Sequence, residues 1–344
     1  MAKLNLKLSG ILLIAITAFI LLGNYGYSQR PRVSPMAGVS QTLGEATEVI
    51  VTYSRPAVKG RTIWGDLVPF DKVWRTGANE ATTISFTDDV LIEGKELKAG
   101  KYALFTIPAQ KAWTLIFNKQ SDQWGAFKYN PGQDALQITV KPETSADREW
   151  MQFHFEKLNG TSANAVLQWD KLQVPFKIET QKKDGEVRAS LKAEVSQTIG
   201  AATKISVVYS RPGVRGREIW GGLVPYDKIW RTGANENTTI TFSEDVMVEG
   251  KKLAAGTYGL HTIPSAEEWT IIFNNNSTAW GSFDYNKEED ALRVTVKPQS
   301  TDTQTEWLTF FIDGMETDSN NVPNKAKVRL VWNKLEVPIL VALL

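Results

Sequence analysis

The chain has 344 residues with 39 basic and 38 acidic side chains, so its formal charge is +1 and neither sign dominates. This balance excludes a protein that holds nucleic acid on a basic stripe, and we expect no nucleic-acid partner. Cysteine is absent, which excludes disulfides, thiolate metal sites and cysteine nucleophiles. The length predicts about two domains.

The N-terminus has the pattern of an export signal. Two lysines precede an apolar stretch at residues 8–22, and the small residues Gly26 and Ser28 follow it. We therefore predict a signal peptide at residues 1–28, with Gln29 as the mature start, and a periplasmic or secreted protein. The alternative is an uncleaved N-terminal membrane anchor. The apolar stretch is shorter than the roughly 20 residues that span a bilayer, so we expect no membrane span in the mature chain.

An internal repeat dominates the rest of the chain. Ser40-Gln41-Thr42 returns as Ser196-Gln197-Thr198, an offset of 156 residues. At that offset, 64 of the 103 positions between residues 40 and 142 are identical to their partners. Beyond residue 142 only a few residues still match between the copies, such as Trp169 and Trp332. The uneven identity indicates that packing or a site constrains the first two thirds of each copy.

A duplication of this length predicts two domains rather than a solenoid. The predicted order is a flexible lead-in at residues 29–38, copy one at 39–178, a polar linker at 179–192 and copy two at 193–344.

Short alternating or β-branched runs predict that each copy is built from strands. In copy one these runs lie at residues 48–53, 82–86, 90–92, 101–107, 113–117, 136–140, 151–155 and 166–172. No helical apolar period occurs outside the signal segment. We therefore predict an all-β fold with two tandem β-sandwich, jelly-roll-like domains. A closed barrel is the alternative.

The segment from Tyr53 to Thr82, repeated from Tyr209 to Thr238, is the main candidate for a site. Glycine and proline interrupt it, and long irregular connections in compact domains are usually functional or disordered. Its arginines suit carboxylate or phosphate, and its tryptophans offer flat faces for a sugar or a cation. In the alternative interpretation these residues only stabilise the loop, with Arg75 paired to Glu80 and Asn79 capping a turn.

Trp124-Gly125, followed by Phe127 and Tyr129, adds a second loop that could form an aromatic platform. The predicted ligand-binding residues of the two copies are Arg55, Arg61, Trp64, Arg75, Asn79, Glu80, Trp124, Arg211, Arg217, Trp220, Arg231, Asn235, Glu236 and Trp280.

Catalytic residues are not assigned by the sequence. The two histidines do not correspond, since His261 aligns with Phe105, so a histidine-based triad or zinc site could exist in one copy only. Three carboxylates of copy one recur in copy two and leave a hydrolase with paired carboxylates as an alternative. They are Asp71, Glu80 and Asp134, matched by Asp227, Glu236 and Asp290. No calcium-loop pattern is present, and we expect neither a metal nor a cofactor.

Several of these motifs together resemble one bacterial family. They are Ser54-Arg55-Pro56, Gly60-Arg61, Leu67-Val68-Pro69, the run Trp74–Glu80 and Ala99-Gly100-x-Tyr102. The chain is similar to the family catalogued as domain of unknown function 2911, in two copies. That resemblance implies an exported location and carries no activity and no site residues.

The sequence as a whole favours a non-catalytic, exported protein that binds a small polar ligand, a glycan or a protein partner. The hydrolase with paired carboxylates and a purely structural envelope module are the alternatives.

Overall fold

The computed structural model of the protein describes residues 30–182 and 185–344, which are almost entirely β-structure. The predicted signal peptide and Gln29 lie outside the described residues. Within the described part of the chain, no helix has the length and apolar character needed to cross a membrane.

Each copy contributes ten strands. Copy one holds β1 (Met36–Leu43), β2 (Thr47–Ser54), β3 (Thr83–Phe86), β4 (Val90–Ile92), β5 (Lys95–Leu97), β6 (Gly100–Ile107), β7 (Trp113–Asn118), β8 (Asp134–Val140), β9 (Glu143–Asn159) and β10 (Ser162–Thr180). Copy two holds β11 (Leu191–Ile199), β12 (Thr203–Arg211), β13 (Thr239–Phe242), β14 (Val246–Val248), β15 (Lys251–Leu253), β16 (Gly256–Ile263), β17 (Trp269–Asn274), β18 (Asp290–Val296), β19 (Gln299–Thr317) and β20 (Pro323–Leu343). One 3-10 turn precedes β8 and another precedes β18.

Each copy is a sandwich of two antiparallel sheets, as predicted. One layer is half of a large sheet, and the other is a four-stranded sheet in the order β5-β4-β10-β9 or β15-β14-β20-β19. Apolar side chains from both layers meet in the core, where the ring of Phe117 on β7 lies 6.2 Å from that of Phe176 on β10. Alternate residues of β2 such as Val49 and Val51 are fully buried, which is the period that a half-buried strand requires.

The large sheet is shared by the two copies. Its twelve strands run β18-β17-β16-β13-β12-β11-β1-β2-β3-β6-β7-β8, an order that reads equivalently from either end. At its centre β1 pairs antiparallel with β11, and Val39 lies opposite its own equivalent Val195. Ala37 opposite Gln197 is matched by Gln41 opposite Ala193. The two copies are therefore related by a local twofold axis, as in an isologous dimer.

The central strands of the shared sheet begin before the predicted starts of the two copies. Residues 36–38, within the predicted lead-in, and residues 191–192, within the predicted linker, belong to the central strands β1 and β11. These residues form regular strands because β1 and β11 pair with each other across the two copies, and the local sequence does not reveal that pairing. The strands predicted at 151–155 and 166–172 are the middles of the much longer β9 and β10. The outer arm of β9 is largely exposed and polar, so it carries no alternating pattern.

Candidate functional site

Two of the candidate arginines connect the copies. Arg55 is only 2% exposed. Its Nε donates to the carbonyl of Met151, and its Nη1 donates to Gln197 Oε1 at 2.8 Å and to the carbonyl of Ile312 at 2.6 Å. Since Gln197 and Ile312 belong to copy two, Arg55 crosses the interface between the copies.

Arg211 makes the matching connection in the opposite direction. Its Nε donates to the carbonyl of Leu308, and its Nη1 donates to Gln41 Oε1 at 2.7 Å. Its Nη2 donates to the carbonyl of Phe155 and to Thr309 Oγ1. Burial lowers the pKa of Arg211. This arginine holds strands of both copies together.

Arg61 and Arg217 bind the main chain of their own loops. Arg61 donates to the carbonyls of Ala57 and Val58, and Arg217 makes the same two bonds in copy two. These contacts keep the loop folded, and any role of the two arginines in ligand binding stays a prediction.

Trp64 lies in a cluster of four tryptophans. Its ring is 5.0 Å from Trp113, 5.7 Å from Trp169 and 5.8 Å from Trp74, always edge-on. Edge-to-face packing at such distances is favourable beyond the area that it buries. The same cluster recurs around Trp220. The irregular loop is therefore anchored to the core by its tryptophans.

Asn79 and Glu80 hold the segment that leads into β1. Asn79 Nδ2 donates to the carbonyl of Ser34 at 3.0 Å, and Glu80 forms an ion pair with Arg32 at 2.8 Å. Asn235 and Glu236 repeat these contacts with Ser190 and Arg188. Glu80 thus has a partner other than Arg75.

Arg75 is left with an uncompensated charge. It is half-buried, its Nε has no hydrogen-bond partner, and no described residue pairs with the guanidinium. Burial lowers the pKa of Arg75, and no described carboxylate offsets this effect. Arg231 has the same properties in copy two. A half-buried guanidinium without an anion is unusual, because its desolvation is not offset by a partner.

Two exposed aromatic side chains belong to the loop whose Gly125 approaches this arginine. A Cβ placed on Gly125 would lie 3.4 Å from Arg75 Nη1 and 2.9 Å from the ring of Phe127. Trp124 is 59% exposed and Phe127 is 84% exposed. We call Arg75, Trp124 and Phe127 the Arg–aromatic patch of copy one. In copy two the patch consists of Arg231, Trp280 and Phe283, and the two aromatic side chains are 56% and 85% exposed.

The backbone fixes the loop that carries the patch. Glu80 and Trp124 form an isolated antiparallel bridge, and the amide of Gly125 donates to the carbonyl of Asn79 at 3.0 Å. Gly125 has φ +68, a left-handed conformation that glycine adopts without strain. Tyr129, in contrast, packs on Phe105 and donates to an aspartate, so it does not join the exposed platform.

Two of the three recurring carboxylates of copy one, Asp134 and Glu80, have hydrogen-bond or ion-pair partners. Asp134 accepts hydrogen bonds from Asn118, Tyr129 and Gln137, and Glu80 forms its ion pair with Arg32. Among residues 30–182 and 185–344, no group of three or more metal-ligating side chains is clustered. The hydrolase alternative gains no support from these contacts.

One polar cluster in copy two was not found from the sequence. His261 lies 3.3 Å from both Asn237 Nδ2 and Ser282 Oγ, where copy one has an apolar cluster that includes Phe105. Three coordinated replacements at the same offset, Ala81 to Asn237, Phe105 to His261 and Ala126 to Ser282, were the available signal. Burial lowers the pKa of His261 to about 4, which keeps the ring neutral.

Comparison with known proteins gives a family and no further relative. No curated protein and no solved structure matches the chain. One family model matches it twice, over residues 34–178 and 190–341, and its description is "Protein of unknown function (DUF2911)". These two matches cover most of the chain, in the same order as the two sandwiches. The chain therefore belongs to the DUF2911 family and carries two tandem copies of its domain.

Proposed function

We propose that this protein is a non-catalytic, two-site binding protein for an acidic glycan. The observation that carries the proposal is the unpaired, half-buried guanidinium of the Arg–aromatic patch, which recurs with the same surroundings in both copies. A sugar carboxylate would supply the missing anion, and the planar fork of arginine suits that group.

The exposed aromatic rings support a sugar rather than a free small anion. Trp124 and Phe127 are exposed on the loop whose Gly125 approaches Arg75, and their flat, apolar rings suit the apolar face of a pyranose ring. Two matched patches on one molecule would engage one polymer at two points, and the second contact would then form at high effective concentration. In this proposal the protein acts outside the cytoplasm, on the strength of its N-terminal sequence pattern alone.

Binding of oligogalacturonate, compared with its methyl ester, tests the proposal. We expect the wild type to bind the acid and to bind the ester at least about tenfold more weakly, because the ester removes a charge-assisted hydrogen bond. The double variant R75A/R231A should lose the preference for the acid. The double variant W124A/W280A should weaken binding of both ligands while retaining that preference.

Melting temperatures of the variants provide the folding control. The single variant R75A, which keeps one patch, should retain the acid preference with half the number of sites. Equal binding of acid and ester by the wild type, or an unchanged preference in R75A/R231A, would refute the proposal. Retention of an unrelated protein instead of the oligosaccharide would assign the aromatic patches to a protein partner.

A further inference from the structure

The two Arg–aromatic patches differ in the charge that follows their second aromatic residue. In copy one the amide of Tyr129 donates to the carbonyl of Ala126 at 3.1 Å, which closes a turn with Phe127 and Lys128 as its central residues. Both central residues are exposed. The charge of Lys128 therefore lies at the tip of the turn that also exposes the ring of Phe127.

Copy two reverses the sign of this charge. The residue after Phe283 is Asp284, and both are exposed in the equivalent turn. Residues 119–133 contain two lysines and one aspartate, whereas residues 275–289 contain one lysine and three carboxylates. Two of these carboxylates lie in the 3-10 turn of copy two, and the 3-10 turn of copy one has none. The patches thus share their arginine and aromatic residues and differ in the charge around them.

Lys128 and Asp284 are free to interact with a ligand. Neither side chain forms an ion pair or a hydrogen bond within the described part of the chain. Asp284 also leaves Arg231 uncompensated, because burial alone shifts the pKa of that arginine. Each patch therefore combines an unpaired guanidinium with a second free charge, which is positive in copy one and negative in copy two.

Charge differences at the interface between the copies are of another kind. The matching tryptophans and the pairing registers align strands β9 and β10 with β19 and β20. On that alignment Arg148 corresponds to Thr305. Arg329 corresponds to Val166. Both arginines have Asp313 as a partner, so these charges are used within the fold.

We propose that the two patches select different neighbours of a bound uronate. Copy one, with Lys128, takes a uronate that is followed by another acidic sugar. Copy two, with Asp284, takes a uronate beside an amino sugar whose ammonium group is free. The inference rests on the acidic-glycan proposal, because Arg75 and Arg231 hold the uronate in both cases.

The selectivity of each patch is modest because Lys128 and Asp284 are exposed. One exposed pair of opposite charges changes an equilibrium constant by about threefold, and a pair of like charges acts in the opposite direction. The two patches should therefore differ in which ligand they prefer, rather than by a large factor in affinity.

Isolated patches and a matched pair of glycans test this assignment. The variant R231A keeps the patch of copy one, and R75A keeps that of copy two. The glycans are heparosan, which alternates glucuronate with neutral N-acetylglucosamine, and its de-N-acetylated form, in which the amino groups are free and positively charged. In calorimetric titrations, we expect R75A to bind the free-amine form about threefold more tightly than heparosan, and R231A to show the opposite preference. Oligogalacturonate, in which every neighbour is acidic, should bind R231A about threefold more tightly than R75A.

Charge reversals in these single-patch proteins identify the residues responsible. D284K added to R75A, and K128D added to R231A, should each invert the preference between the two forms of heparosan. K95D added to R231A is the control and should leave the preference unchanged, because Lys95 is exposed on β5 in a four-stranded sheet. All preferences should shrink in about 1 M sodium chloride, where the screening length is about 3 Å. Melting temperatures close to those of the single-patch proteins confirm folding.

The outcomes separate the selection of neighbours from the acidic-glycan proposal. If R231A and R75A bind oligogalacturonate but share one preference between the two forms of heparosan, the acidic-glycan proposal stands and the selection of neighbours is wrong. Unchanged preferences in both charge reversals, or an effect of K95D as large as that of K128D, would overturn it as well. If neither the wild type nor a single-patch protein binds any of the three glycans, both proposals are wrong.

Discussion

His261 shows how one residue can make two copies of the same domain respond differently to acid. Its ring is 1% exposed and contacts Asn237 and Ser282, whereas the equivalent Phe105 is fully buried among apolar side chains. Burial lowers the pKa of His261 from 6.5 to about 4. The folded protein therefore keeps this ring neutral at pH values where the unfolded chain protonates it.

We predict that the variant H261F makes the free energy of unfolding less sensitive to acid. Below pH 6.5 the unfolded state takes up a proton that the folded state refuses until about pH 4, so wild-type stability falls as the pH falls. This linkage amounts to roughly 3 kcal/mol at its limit. Urea unfolding of both proteins between pH 7 and pH 4 measures it.

The change with pH is the diagnostic quantity for H261F, since the loss of hydrogen bonds with Asn237 can shift stability at every pH. His154 is present in both proteins, so its contribution cancels. The triple variant H261F/N237A/S282A installs the copy-one residues and should show the same reduced pH dependence. Parallel curves for H261F and the wild type would contradict the prediction.

At the scale of elements, strands β1 and β11 each carry one glutamine that reaches an arginine of the other copy. Gln41 accepts from Arg211 Nη1, and Gln197 accepts from Arg55 Nη1. Arg55 Nη1 also donates to the carbonyl of Ile312, whereas Arg211 Nη1 has Gln41 alone. The two connections involve equivalent residues, but Arg55 Nη1 has two acceptors and Arg211 Nη1 has one.

We therefore predict that Q41A destabilises the protein more than Q197A. In Q41A the buried Nη1 of Arg211 loses its acceptor, at a cost of roughly 2 kcal/mol, and the difference between the two variants should be about 1 kcal/mol. Each glutamine also donates to two main-chain carbonyls, so that loss is common to both variants. Equal denaturation midpoints, or a larger loss in Q197A, would show that the acceptors do not matter.

The sequence predicted elements and side chains whose partners are local, and it failed where the partner is distant. Alternation in β2 and the apolar run of β7 gave these strands directly. The partner of Glu80 could not be inferred, because Arg32 lies 48 residues away in a segment without a pattern. The residue type of Arg75 suffices to predict a ligand-binding role, whereas its lack of a partner depends on the folded structure. The ligand-binding assignments of the candidate residues stay predictions.

At the scale of the whole molecule, the two copies are parts of one folded unit from Pro31 to Leu344. The pairing of β1 with β11 joins their sheets, and Arg55 and Arg211 cross the interface in both directions. The duplication was visible in the sequence. The shared sheet was not, because a central strand that pairs with its own repeat has the same residue pattern as one that pairs elsewhere.

We predict that cutting the connection between the copies leaves them together. A protease site inserted after Glu186, in an exposed part of the connection, should be cleaved without separating the halves. The cleaved protein should elute from a sizing column at the volume of the uncleaved protein at micromolar concentration, and it should separate only in denaturant. Two smaller species in native buffer would refute the interface formed by β1 and β11.

The covalent link between the halves has a consequence for how a site can specialise. If two identical chains paired through the same central strand, every substitution would appear in both chains, so an arginine at position 148 would recur at the symmetry-related position of the second chain. Joining the halves removes that restriction, so that one side holds Arg148 and Arg329 while the other holds Thr305 and Val166. Fusion of the copies thus allows the two sides of the interface to carry different residues, which is impossible when two identical chains pair.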